Sequence, residues 1–245
     1  MDFLFLVSLL GVVVLVPLHS LSVEHIKLER EYGEAKGRRI GDILSYISGW
    51  GFFVFWAGIW FSPQPRFTVF ADWEIVVPLV NFPLPLLHLI VFVPLFLTGA
   101  WLGIAGVRET GLKVAETHRT QRVVSSGVYS VIRHPQYLGG LLAHLGLSFL
   151  LSAWFSMLST PLLIFLIYLM SEKEETELIK EFGDEYKASR KECPCSFLNC
   201  SEKLSSRLFP YLRSAILASR MTRYAICVLL YSYILGLDKI VRSLR

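Results

Sequence analysis

Long apolar runs separated by charged segments are the main pattern of this chain. The first run covers Phe3–Val23, the second Ile43–Phe61 and the third Leu84–Val107. Each is close to the roughly 20 residues that a helix needs to cross the hydrocarbon core of a bilayer. The pattern therefore predicts three membrane-spanning helices in the first half of the chain.

Two shorter apolar runs follow and are separated by only two residues. Tyr137–Leu151 and Trp154–Met170 flank Ser152 and Ala153, which leaves no room for a long loop. We therefore predict a tight helical hairpin whose open ends lie on the same side of the membrane. With the first three runs, this gives an all-α polytopic membrane helix bundle of about five transmembrane helices.

The segments outside the spans are predicted as loops, an interfacial segment and an amphipathic helix. Glu24–Asp42 and Arg108–Pro135 are rich in charge and are predicted as loops, whereas Ile75–Asn81 is predicted as an interfacial or re-entrant segment because prolines interrupt this region. Apolar residues recur at helical spacing over Lys173–Arg190, which predicts an amphipathic helix broken at Gly183.

Three regions follow from this pattern. Residues 1–83 hold the N-terminal transmembrane helices and the interfacial segment, and residues 84–194 form a core that contains the hairpin. Residues 195–245 form a C-terminal extension, predicted as an amphipathic or half-inserted helix. Its apolar part, 225–237, is short for a span and is followed by basic residues.

Composition and charge agree with a membrane protein. Hydrophobic residues make up 53% of the 245 residues and charged residues only 18%, whereas soluble domains carry about 25% charge. Lys and Arg concentrate at 24–42, at 108–135 and after 171, and are scarce at 62–74. By the positive-inside rule, the basic face is cytosolic, in a prokaryotic plasma membrane or the endoplasmic reticulum. The net charge of +4 therefore reflects topology, and no nucleic-acid partner is predicted.

Ionisable residues at the open end of the hairpin carry the candidate chemistry. Arg133 and His134 precede its first helix, and Glu174 and Glu175 follow its second. Ionisable groups beside apolar spans are costly and mark binding sites. A zwitterion with an extra cation fits this arrangement, and S-adenosylmethionine has a carboxylate for the basic groups and cationic groups for the acids. The cysteines and histidines show no metal-ligand spacing, so no metal site is predicted.

Two motifs resemble a known family. The first is Gly-x-Tyr-x-x-Ile-Arg-His-Pro-x-Tyr-x-Gly over Gly127–Gly139, and the second is Glu-Glu-x-x-Leu-x-x-x-Phe-Gly-x-x-Tyr over Glu174–Tyr186. With the hairpin between them, they resemble the integral-membrane isoprenylcysteine carboxyl methyltransferase family and its phospholipid methyltransferase relatives. The resemblance implies a cytosol-facing pocket for S-adenosylmethionine and catalytic roles for Arg133 and Glu175. The implied cofactor-binding residues are Tyr129, His134, Pro135, Tyr137, Gly139, Glu174 and Glu175.

The acceptor is left open by these motifs. The first expectation is the carboxylate of a prenylated cysteine or a similar amphiphile, because a carboxylate is already an anion whereas an ammonium acceptor must first lose a proton. A phospholipid amine or a small thiol is the alternative within this class. Outside it, the pattern is also consistent with an NADPH-dependent sterol-type reductase and with a non-enzymatic membrane scaffold. Membrane lipids are expected partners, and the oligomeric state stays open.

Overall fold

Helices form most of the chain in the computed structural model, which describes residues 2–67, 74–77 and 82–193. A short 3-10 turn, Gly127–Ser130, and a two-stranded ribbon complete the described part. The helices are α1 (Phe3–Ser22), α2 (His25–Tyr32), α3 (Glu34–Phe61), α4 (Leu86–Thr110), α5 (Leu112–Thr117), α6 (Pro135–Leu150), α7 (Trp154–Phe182) and α8 (Asp184–Glu192).

The predicted class, an all-α polytopic membrane bundle, is confirmed. Four of the described helices, α1, α3, α4 and α7, are long and apolar enough to cross a membrane. The fifth predicted span, α6, has 16 residues, which at 1.5 Å per residue gives a length of about 24 Å. This is shorter than a hydrocarbon core of about 30 Å, and α6 is not among the four helices long enough to cross a membrane.

Of the two charged segments predicted as loops, the first is largely helical and the second is helical in part. Most of Glu24–Asp42 lies in α2 and in the first turns of α3, with the two helices separated at Gly33, where φ is 79°. Arg108–Pro135 likewise contains the end of α4, the short helix α5 and the 3-10 turn. The prediction of a loop was wrong for Glu24–Asp42, because charge marks exposure to water, whereas Glu, Lys and Arg are good helix formers. In the second segment, residues 118–126 are not helical, as predicted.

An antiparallel ribbon replaces part of the predicted interfacial or re-entrant segment. Strand β1 (Glu74–Val77) pairs with β2 (Phe82–Pro85), and the pairing places Val77 opposite Phe82. Proline has a fixed φ and no N–H, which suits the edge of a two-stranded ribbon better than a helix. Helix α4 accordingly begins at Leu86, directly after the second strand.

The predicted hairpin is present as α6 and α7. Its tight connection places Ser152 in the left-handed region, at φ 54°, and the Ala153 N–H donates to the Ser148 carbonyl. Helix α7 does not end at Met170 but continues to Phe182, so the acidic pair belongs to the spanning helix itself. The predicted break at Gly183 is confirmed, with φ 55°.

Two helix contacts hold the bundle together. Helices α1 and α3 pack against α7 through one apolar cluster, whose buried members include Val12, Ile59 and Leu163. Helices α4 and α6 approach closely at glycines, because a Cβ on Gly99 would lie 2.5 Å from the Gly139 carbonyl oxygen. The long helices thus bring the ends of α1, α4, α6 and α7 to a common region.

The predicted C-terminal extension, including the helix over 225–237, lies outside the described residues. The proposed boundaries at 83/84 and 194/195 stay predictions.

Candidate functional site

A cavity lies at the charged end of the bundle. The junction between α1 and α2 contributes Val23 and His25, and the segment from the end of α4 to the start of α6 contributes one wall. The opposite wall comes from the last turns of α7 and from α8, including Glu174 and Arg190. Both sequence motifs therefore meet at one cavity, although a complete helical hairpin separates them in the chain.

Glu175 is held in a charge cluster behind the cavity wall. Its carboxylate accepts a hydrogen bond from Arg133 Nη1 at 2.7 Å and lies 3.0 Å from His134 Nε2. Arg190 Nε lies 3.2 Å from the same carboxylate. Only 3% of the Glu175 side chain is exposed, so this residue orients the basic groups of the cavity.

Glu174 faces the cavity with a different set of partners. The Tyr137 hydroxyl donates a hydrogen bond to Glu174 Oε1, and His19 Nε2 lies 3.0 Å from the same oxygen. His118 Nδ1 lies 3.5 Å from it, and His134 Nδ1 lies 3.6 Å from Oε2. Imidazole and phenol groups therefore surround this carboxylate.

Burial keeps several groups around the cavity neutral. It lowers the pKa of His118 to about 4, and it also lowers the pKa of His25 with help from the nearby Arg119 charge. Burial raises the pKa of the Tyr129 hydroxyl to about 12. At pH 7, His118 is thus a neutral imidazole and Tyr129 a neutral phenol.

Arg133 carries an unused hydrogen-bond donor. Its Nη1 binds Glu175, but its buried Nε has no hydrogen-bond partner among the described residues. An unpaired buried donor is costly, because it has lost its water without gaining a replacement. Since Arg133 also lines the cavity, a ligand with an acceptor group can satisfy this N–H.

The structure brings most of the sequence-predicted residues to one place. The residues that line the cavity are Tyr129, Arg133, His134, Pro135, Tyr137 and Glu174. Glu175 is outside the cavity lining but contacts two of these residues. Gly139 lies elsewhere, at the contact between α4 and α6, where a Cβ would meet the Gly99 carbonyl oxygen at 2.6 Å. Gly139 is therefore placed for helix packing.

Sequence reasoning missed His19 and His118 as parts of this site. The ligand atoms of these two histidines and of Glu174 lie within 4.8 Å of one another, a group that could hold a metal ion. The sequence shows no sign of this group, because its members are separated by 99 and 56 positions along the chain. The one available signal was His19 itself, the ionisable residue in a helix of otherwise apolar and small polar residues.

Comparison with known proteins matches the part of the chain that builds the cavity. The family model described as phospholipid methyltransferase matches residues 87–185. This segment includes the first motif, the hairpin and nearly all of the second motif, so the resemblance read from the sequence is confirmed. Together with the four long apolar helices, the match identifies the chain as an integral membrane protein.

One curated relative is similar to part of this chain. The protein-S-isoprenylcysteine O-methyltransferase of Schizosaccharomyces pombe is 30% identical over 91 residues, which are 37% of this chain and 39% of that protein. The chain thus matches well under half the length of this relative. No solved structure matches the chain.

Proposed function

We propose that this protein is a membrane methyltransferase that takes a methyl group from S-adenosylmethionine and transfers it to a lipophilic acceptor. The observation that carries the proposal is the distribution of charge in the cavity. Arg133, whose buried Nε–H has no partner among the described residues, lines the same cavity as Glu174, whose described neighbours are imidazole and phenol groups. A ligand with both a carboxylate and a cation satisfies these two requirements at once.

The residues of the cavity suit this donor in specific ways. Arg133 would hold the carboxylate of the donor, and His134 and Glu175 would fix the position of the guanidinium from behind. Glu174 would face the cationic part of the donor, beside Tyr137. The ribose hydroxyls have acceptors available in Glu177 and Glu181, which also line the cavity.

An apolar wall on the same cavity favours a donor with an aromatic base. Val114, Val123 and Val124 line it together with Leu178. Aliphatic side chains of this kind bind the faces of a purine ring and exclude water from it. Tyr129 and Pro135 also line the cavity, and we propose that both contact the donor.

When bound, S-adenosylmethionine supplies an electrophilic methyl group on a sulfonium. The protein then needs to align the acceptor and to exclude water, which accounts for most of the rate in such a transfer. No side chain has to move a proton if the acceptor is an anion. We therefore propose that Arg133 and Glu175 contribute to catalysis by holding charge in position and not by transferring a proton.

The acceptor proposed first is the carboxylate of a prenylated cysteine or a similar amphiphile. Support comes from the similarity of 91 residues of this chain to the fission yeast isoprenylcysteine methyltransferase. A carboxylate needs only desolvation, whereas the amine of a phospholipid must first lose a proton to a base. The basic segments at this end of the bundle support a cytosolic orientation of the cavity.

The donor can be tested by isothermal titration calorimetry on the full chain in detergent. S-adenosylhomocysteine is titrated in one series and NADPH in another, into wild type, His134→Ala, Glu174→Gln and Glu175→Gln. Glu185→Gln is the matched control, because Glu185 is exposed on α8. Saturable binding of S-adenosylhomocysteine that weakens in the first three variants supports the proposal. Binding of NADPH instead, or binding of neither ligand, contradicts it.

The acceptor needs a second assay. Labelled methyl transfer from S-adenosylmethionine is measured with an N-acylated S-prenylcysteine and, separately, with vesicles of an aminophospholipid. A methyl ester formed on the first substrate, released as methanol by base, supports the carboxylate acceptor. Transfer only to the lipid amine would contradict the proposed acceptor and leave the donor intact.

A further inference from the structure

The first helix of the chain contributes a side chain to the cavity network from outside the family-matched segment. His19 lies in the last turn of α1, whereas the match begins at residue 87. Only 2% of its side chain is exposed. A buried imidazole in an apolar helix needs polar partners, and His19 has them in Glu174 and Tyr137.

The two oxygens of Glu174 have different surroundings. Oε1 accepts from Tyr137, lies 3.0 Å from His19 Nε2 and lies 3.5 Å from His118 Nδ1. The contact of Oε2 with His134 Nδ1, at 3.6 Å, is longer than a hydrogen bond. The protein therefore holds Oε1 firmly and leaves Oε2 for another partner.

The adjacent acids also differ in how their charge is balanced. Glu175 has Arg133 and Arg190 within 3.2 Å. In the part of the chain that the structure describes, no Lys or Arg nitrogen is paired with Glu174. A carboxylate that is held by hydrogen bonds but not by a fixed cation is oriented and still attracts a positive ligand.

We infer that His19 is a positioning residue for Glu174. By holding Oε1, His19 keeps the carboxylate turned so that Oε2 is available to the cationic part of the methyl donor. This inference rests on the proposed function and extends it, because it makes α1 a part of the donor site. The site is then incomplete in the family-matched segment alone.

Other contacts hold the end of α1 in this place. Ser22 Oγ donates to the His19 carbonyl oxygen at 2.7 Å. Lys173 Nζ, on the residue directly before Glu174, lies 2.6 Å from Glu24 Oε1. The end of α1 is thus fastened to α7 beside the contact between His19 and Glu174, which limits how far the imidazole can move.

A metal ion is the competing explanation for this cluster. His19, His118 and Glu174 offer three ligand atoms of the types that zinc binds. The separation of 3.0 Å between His19 and Glu174 is that of a direct hydrogen bond, and Tyr137 already donates to the same oxygen. We therefore assign a hydrogen-bonding role to His19. The test below measures zinc content, so that a metal site would be detected.

The test compares two substitutions of His19 in the full chain. Gln can still donate a hydrogen bond to Glu174, whereas Ala cannot, and Gln is a poor zinc ligand. His88→Gln is the control, because His88 is a buried histidine that contacts Ser152 at the hairpin turn. Binding of S-adenosylmethionine is measured by calorimetry, zinc content by elemental analysis and folding by thermal melting of the ligand-free protein.

We expect His19→Ala to weaken S-adenosylmethionine binding about tenfold, since a hydrogen bond to a charged group is lost. His19→Gln should stay within about threefold of wild type, and His88→Gln should bind as wild type does. Unchanged binding in His19→Ala would overturn the inference alone. A tenfold loss in a folded His19→Gln, or stoichiometric zinc that both His19 variants lose, would also overturn it. Absence of binding in wild type would remove the proposed function and this inference together.

Discussion

Two buried polar networks in this bundle differ in completeness. In the apolar interior, His144 Nδ1 accepts from the indoles of Trp56 and Trp60 at 2.8 Å each, and its Nε2 lies 3.2 Å from Thr160 Oγ1. Both ring nitrogens are therefore used. At the cavity, Arg133 Nε has no hydrogen-bond partner within the described part of the chain. A completed network stabilises a fold, whereas one with unused groups is suited to a ligand.

Among the substitutions that test this comparison, Arg133→Met is expected to have the largest effect on stability and ligand binding. The substitution leaves the buried Glu175 carboxylate with His134 and Arg190 as partners. We expect a stability loss of about 3 kcal/mol, because the buried carboxylate loses its buried guanidinium partner and the more exposed Arg190 balances its charge only in part. Binding of S-adenosylhomocysteine should fall as well, and both effects can be measured by thermal melting with and without the ligand.

Arg133→Lys is the control for this substitution. It keeps the positive charge beside Glu175 but removes the forked donor geometry of the guanidinium. We expect this variant to recover most of the stability while binding stays weak. Wild-type binding in either variant would show that the unused Arg133 donor is not part of the ligand site.

Substitution of His144 should disrupt the completed network and leave the network at the cavity intact. In His144→Leu, the indole N–H groups of Trp56 and Trp60 lose their shared acceptor within the membrane. We expect a loss of about 2 kcal/mol in stability, since each unsatisfied buried donor costs about 1–3 kcal/mol and some relaxation follows. Affinity for S-adenosylhomocysteine, measured by calorimetry on the folded fraction, should stay within about twofold.

If His144→Leu lost as much affinity for S-adenosylhomocysteine as Arg133→Met, the separation of the two networks would be contradicted. Trp60→Phe provides the graded control, because it removes one of the two indole donors and keeps an aromatic ring. Its stability should lie between those of wild type and His144→Leu.

The order of the long apolar helices was predictable from the sequence, but their contacts were not. The lengths of the apolar runs and the two residues between Leu151 and Trp154 determine a hairpin without any knowledge of packing. The contact between His19 and Glu174 joins residues 155 positions apart, and no periodicity carries that information. The motif residues were found because they are close in sequence to the hairpin ends.

Gly139 shows a second limit of reading a motif. The resemblance of the first motif, which ends at Gly139, implies a role in donor binding, whereas the structure places this glycine against the backbone of α4. Close helix approach and close ligand approach both require a residue without a side chain. The sequence cannot distinguish these two demands.

The matched pair Gly139→Ala and Gly140→Ala tests the placement of the glycine. A Cβ at 139 would meet backbone atoms of Gly99 and Gly103 at 2.6 and 3.0 Å, whereas a Cβ at 140 would meet the Trp56 ring at 3.2 Å. We expect a loss of about 1–2 kcal/mol for Gly139→Ala and a smaller loss for Gly140→Ala. Thermal melting measures both. A stable Gly139→Ala variant with weak donor binding would instead support the role implied by the motif.

The smallest effect is expected from Lys173→Met, which removes the contact between α7 and Glu24 beside the acidic pair. Lys173 is 23% exposed and Glu24 is 20% exposed, so water and salt screen this pair and its contribution is about 1 kcal/mol or less. Lys180→Met is the control, because Lys180 contacts Glu177 within the same helix. The melting temperature of Lys173→Met should fall below that of the control at low salt, and the difference should shrink in about 1 M salt. A difference that persists at high salt would contradict a screened ion pair between Lys173 and Glu24 as its cause.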